Sequence, residues 1–84
     1  PGTGSWNTAS LGAGFANAIV EVRMTTNSNN TTIGVRQVGS VLTRSAVIDN
    51  DSVYTMTVKC DANGDFEFFK SYGSGSFTIV SRLN

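Results

Sequence analysis

Histidine is absent from the 84 residues. Its absence removes the commonest general base, the commonest zinc ligand and any nucleophile–histidine pair. Cysteine occurs once, at Cys60, so one chain can build neither a thiolate metal site nor a disulfide framework. Charge is scarce and balanced, six Lys plus Arg against six Asp plus Glu. That leaves no basic field of the kind nucleic-acid binding needs, and little repulsion between copies. The six carboxylates show no convergent pair such as a glycosidase requires. The chain therefore reads as a non-enzyme with no cofactor. No apolar run is long enough to span a bilayer and no signal peptide is recognisable, so membrane insertion is not expected. The first residue is Pro1 rather than Met, which reads as a processed product or a fragment of a longer chain.

What is present is short-period alternation. In Val53 to Phe69, Tyr54, Met56, Val58 and Cys60 alternate with Val53, Thr55, Thr57 and Lys59, and Phe66 and Phe68 resume the pattern after Asn63-Gly64. This predicts a β-hairpin with a three-residue loop, Ala62-Asn63-Gly64, Gly64 being left-handed. Its register pairs Cys60 with Phe66, Val58 with Phe68 and Lys59 with Glu67, and sets Asp61 opposite Asp65. Cys60 then falls among inward residues and reads as a small buried hydrophobe. An intermolecular disulfide and a reactive thiol remain open alternatives.

Elsewhere, Pro1 to Gly4 reads as linker and Ser5 to Leu11 as an edge strand. Ala18 to Thr26 is a strand with Val20, Val22 and Met24 inward. Asn27 to Asn30 is a loop. Thr31 to Val38 is a strand with Ile33 and Val35 inward and Thr32, Gly34 and Arg36 outward. Gly39-Ser40 breaks it, Val41 to Ile48 forms a further strand of weak alternation, and Asp49 to Ser52 is a turn. After a Ser/Gly-rich loop, Ser71 to Gly75, a last strand from Ser76 to Leu83 sets Phe77, Ile79 and Ser81 on one face. Thr78, Val80 and Arg82 take the other. Six to seven short strands at this spacing predict one all-β domain over residues 1–84, a compact antiparallel β-sandwich or jelly roll. A core this small makes association with other copies or chains expected.

The candidate contact residues follow from the phases. Phe69 falls outward beside Thr57, and with Val80 these are the candidates for self-association. Tyr54 is assigned to the core. Trp6 and Tyr72 are candidate sugar-stacking rings. Arg36 and Arg44, which bracket Gly39-Ser40, are candidate contacts to an anion or glycan. They could equally pair with Asp49 and Asp51 or lie across a sheet. Asp61 and Asp65 begin like a calcium loop, but glycine stands at the fourth position instead of the sixth and Tyr72 where a bidentate Glu belongs. No metal site is assigned, and a solvated turn is preferred to a weak cation site at this pair.

The run Ile33-Gly34-Val35-Arg36-Gln37-Val38-Gly39-Ser40, then Arg44, then VKCDANGDFEFF resembles a small β-module of the distal parts of phage tail fibres and related virion or bacterial surface proteins. The resemblance covers Val20 to Val80 and implies an extracellular or virion-surface β-sandwich, often repeated or trimeric. The expected function is a structural or adhesion module of a larger assembly, a homo-oligomer with a trimer favoured, or a neighbour of other subunits. A carbohydrate-binding module that meets a surface glycan through exposed aromatics and polar loops is the alternative.

Overall fold

The computed structural model describes residues 6–50, 52–71 and 75–84. Seven strands follow in chain order: β1 Asn7–Ser10, β2 Ile19–Thr26, β3 Thr31–Arg36, β4 Thr43–Ile48, β5 Val53–Lys59, β6 Asp65–Lys70 and β7 Gly75–Arg82. One 3-10 turn, Ala13–Phe15, sits between β1 and β2. The strands form two antiparallel sheets, ordered β1-β6-β3-β4 and β5-β2-β7. The chain is an all-β sandwich, as expected from its alternation.

The inward sets are those the periodicity marks. Val20, Val22 and Met24 from β2, Ile33 and Val35 from β3, Met56 and Val58 from β5, and Phe66 and Phe68 from β6 are all buried. Phe77 closes the core from β7, edge-on to Phe66 at 5.6 Å and tilted against Phe68 at 4.8 Å. Full burial of each such side chain is worth about 1.5–3 kcal/mol, so these rows hold the two layers together.

Strand pairing departs from the expected hairpin. Val53–Lys59 and Asp65–Lys70 lie in different sheets: β5 pairs β2 (Val58 with Val20), while β6 lies between β1 and β3 (Phe68 with Asn7 and Val35). Lys59 is opposite Ile19, and Glu67 is opposite Thr8 and Arg36. Cys60 to Gly64 is therefore a turn that carries the chain from one sheet to the other. Among the described strands only β3 and β4 are both consecutive and hydrogen-bonded to each other. Alternation reports which side chains are buried, and a facing strand satisfies it as well as a neighbouring one.

The switch turn is built by Asp61. Its carboxylate Oδ1 accepts the Asn63 N–H at 2.8 Å and the Asp65 N–H at 3.0 Å, and its own N–H donates to the Asp65 carbonyl at 2.9 Å. Gly64 has φ 81, left-handed as expected. It packs so closely on the Gly12 carbonyl that a Cβ there would overlap it.

Two more assignments change. A bulge in the β2–β7 register leaves Val22 opposite Ile79 but Glu21 opposite Ser81 and Val20 opposite Arg82. Ser81 thus turns outward and donates to Glu21 Oε1 at 2.7 Å. Arg82 turns to the core side and closes the end of the sandwich, over the Phe15 ring at 5.7 Å with Nη1 bonded to the Gly14 carbonyl. Tyr54 shares the inner row of Met24 and Phe77 but lies on the edge strand β5 and is 44% exposed, so it is not core.

Candidate functional site

The sheet register assembles the first cluster. Across the outer face of the four-stranded sheet, Phe69, Gly34 and Ser45 form one row, and Thr8, Glu67, Arg36 and Thr43 form the next. Trp6, just before β1, extends the first row. Its ring lies 5.4 Å from Phe69 and above Gly34, where a Cβ would meet its Cη2 at 3.4 Å and the Arg44 carbonyl at 2.8 Å. Gly34 is expected outward. It is outward, and it is buried because the indole lies on it.

Arg36 couples the two rows. Its Nε donates to Glu67 Oε1 at 2.9 Å, and its guanidinium carbon sits 4.3 Å from the Trp6 ring centroid. That cation–π contact occupies one face of the indole, leaving Trp6 a poor sugar platform. Arg36 and Trp6 are thus brought together, but as each other's partner. Phe69 is half-buried under Trp6, and Thr57 and Val80 belong to the other sheet, on the opposite outer side of the sandwich. The three self-association candidates form no common patch. Tyr72 and Asp51 lie outside the described residues.

Glu67 does a second job that the sequence reading missed. The same Oε1 accepts the Gly39 N–H at 3.0 Å, so one carboxylate ties the β3–β4 loop to the sheet. The Gly39 amide and then the Arg36 guanidinium hold the Glu67 carboxyl below its ordinary 4.5, against the opposing effect of partial burial. The loop is further ordered by the Ser40 N–H to the Gln37 carbonyl at 3.0 Å, and by the Leu42 N–H to Ser40 Oγ at 3.0 Å. Its tip is apolar: Val41 is 90% and Leu42 78% exposed. These two aliphatics, expected within a strand, precede β4. Their adjacency was the available signal, because two consecutive residues of a strand cannot both face inward.

The exposed large apolar residues are concentrated in the middle of the chain. Of the eight large apolar residues exposed among those described, Val38, Val41, Leu42 and Val47 are in β4 or the loop before it, and Val53 and Tyr54 begin β5, an edge strand of the other sheet. β4 is also a sheet edge, so its outer row of backbone N–H and C=O groups has no strand partner among the described residues. Val47, 60% exposed, stands on its outer side.

On the inner side of β4 the two sheets part. Arg44, opposite Val35 on the inner row, stands at the open edge. It lines a cleft of about 350 Å³ together with Val35, Leu42, Val58, Ile19 and Lys59. Among the described residues neither Arg44 nor Lys59 has an ion pair. Asp49 forms no ion pair with them, and its Oδ1 accepts the Asn30 N–H at 2.9 Å.

The remaining candidates have structural roles. Asp61 Oδ1 is engaged by the turn amides, and no group of three or more potential metal ligands exists among the described residues. Cys60 is a free thiol, 1% exposed. Burial first, then the Asp61 and Asp65 carboxylates, push it above its ordinary 9.0, with Arg82 opposing. No described helix is long and apolar enough to cross a membrane. Compared with known proteins, the chain matches no family model, no curated protein and no solved structure.

Proposed function

We propose that this sandwich is a structural or adhesion module of a larger extracellular or virion-surface assembly, associating with copies of itself through the β4 side. The observation that carries this reading is the pair Val41 and Leu42, displayed almost fully exposed on a loop held by Glu67 and Ser40. Ordered apolar residues cost little entropy to dock, and a loop that is already fixed loses little more. The reading is strengthened by the unpartnered β4 edge beneath them and by a net charge of zero, which does not oppose contact between like copies. The resemblance to fibre modules supplies the setting and favours a trimer. The loop tip takes over the contact role first given to Phe69, which its own chain covers.

Burying Val41 and Leu42 completely would stabilise an interface by about 3–6 kcal/mol, or roughly a hundred- to ten-thousandfold in dissociation constant. Light scattering over a range of concentrations measures this. The chain is expected to give a defined oligomer that Val41→Asp converts to monomer with an unchanged circular dichroism spectrum. A wild-type monomer at every concentration, or an oligomer indifferent to Val41→Asp, refutes the proposal.

A further inference from the structure

The pair Asn63-Gly64, which builds the switch turn, is also the chain's one asparagine–glycine step. Such a step is chemically labile, because glycine has no Cβ to hinder attack by its backbone nitrogen on the preceding side-chain amide. Asn63 is exposed and Gly64 is buried. The Asp61 carbonyl accepts the Gly64 N–H at 3.1 Å, and the Gly64 carbonyl accepts the Leu11 N–H at 2.9 Å. The nitrogen that would react is thus engaged, and its residue is pinned on both sides with Gly12 beneath it. Neither Ala62 nor Asn63 has a positive φ, so the Asp61–Gly64 bond closes a type I turn, in which ψ of Asn63 is about 0°. At that ψ the Gly64 nitrogen is rotated away from the Asn63 side chain, whereas ring closure needs it nearly eclipsed with Cβ.

We propose that Asn63 is a deamidation site gated by the switch turn: closed in the folded chain, reactive when the turn opens, and unable to rebuild the turn once converted to isoaspartate. In the opened turn the Gly64 nitrogen, having given its proton to solvent base, attacks Asn63 Cγ. The new C–N bond closes a succinimide ring, and the side-chain nitrogen leaves as ammonia. Water then opens the ring at either carbonyl, giving aspartate, or isoaspartate whose main chain runs through Cγ and is longer by a methylene. The folded turn has no slack for that methylene. Asp61 Oδ1 holds the amides on both sides of Gly64, at Asn63 and Asp65, and Gly64 is seated against Gly12. Each of these bonds opposes opening, so the fold that positions the pair also protects it. The site is independent of the assembly reading.

The test is incubation of the purified chain at pH 8, in native buffer and in guanidinium chloride above its unfolding midpoint. Digestion and mass spectrometry follow the fragment Cys60 to Lys70, and chromatography separates its aspartyl and isoaspartyl forms. Conversion at Asn63 is expected in denaturant, with native buffer slower by at least about tenfold because only opened molecules react. Asp61→Ala, which strips the side-chain acceptor from the Asn63 and Asp65 amides, should narrow that gap. Both rates are measured on the same variant, and its circular dichroism shows whether it folds; should it not fold, the wild-type comparison alone decides. Refolded isoaspartyl chain should have a lower urea midpoint than Asn63→Asp, which carries the same new charge on an unaltered backbone. Equal wild-type rates in the two media, no isoaspartate at position 63 in denaturant, or an undiminished gap in folded Asp61→Ala would overturn the gated site. Equal midpoints for the isoaspartyl chain and Asn63→Asp would overturn its consequence for the turn.

Discussion

Replacing Gly64 with alanine tests the turn that moves the chain between sheets, and it separates two costs. The first is conformational: Gly64 has φ 81, a left-handed backbone that costs an ordinary L-residue about 1–2 kcal/mol. The second is steric, because a Cβ at Gly64 would overlap the Gly12 carbonyl and crowd the Gly12 nitrogen at 3.3 Å. Backbone cannot swing aside as a side chain can, and forced repacking of this kind costs about 1–3 kcal/mol. Gly64→Ala should therefore lose roughly 2–5 kcal/mol. An 84-residue domain holds only about 4–13 kcal/mol in all. Gly39 is the internal control: its φ is 75, but nothing lies within 4 Å of a Cβ there. Gly39→Ala should thus show the conformational cost alone. Urea unfolding followed by the fluorescence of Trp6, the chain's one tryptophan, measures both, with equal slopes required for the comparison. Should Gly64→Ala prove too unstable to study, Gly64→Asn can be read instead. Asparagine accepts the left-handed region but still carries the Cβ, so it should remain worse than Gly39→Ala. Equal losses at Gly64 and Gly39 would refute the close approach to Gly12, and with it the packing of the switch turn against the β1–β2 connection.

Two further expectations concern titratable groups. Because the Glu67 carboxyl is held below its ordinary 4.5, the stability it contributes is fully present above that value and is lost as pH falls through the lower, folded-state value. Glu67→Gln keeps an oxygen that can accept the Gly39 N–H but removes the titrating charge, so it should flatten this acid limb; an unchanged pH profile from urea melts between neutral pH and pH 2 would contradict the assignment. Cys60, buried with its thiol pushed above 9.0, should react with a disulfide reagent at pH 8 only as fast as the protein opens. Rapid labelling of the native chain would show the thiol to be accessible.

Sequence alone was enough for what is local. The phase of Val20, Val22 and Met24, of Ile33 and Val35, and of Met56, Val58, Phe66 and Phe68 was enough to identify the core, because a strand's side chains alternate whatever stands beside it. The left-handed Gly64 and the turns at Asn27–Asn30 and Gly39-Ser40 were legible for the same reason. The candidate surface was barely legible. Trp6 and Arg36 could be named, but not that they meet each other, since that needs β1, β6 and β3 side by side. Val41 and Leu42 read as strand because the break at Gly39-Ser40 extends two residues further than its composition shows. Tertiary structure alone decided which strands pair. Facing and neighbouring strands bury the same apolar pattern, so Cys60 to Gly64 could close a hairpin or pass between sheets with identical alternation. What separates the two outcomes is contact with distant residues, Gly12 under Gly64 and Val20 beside Val58. The bulge that turns Ser81 outward and Arg82 over Phe15 has the same origin, for a one-residue slip is set by the partner strand and leaves no mark on the strand that slips.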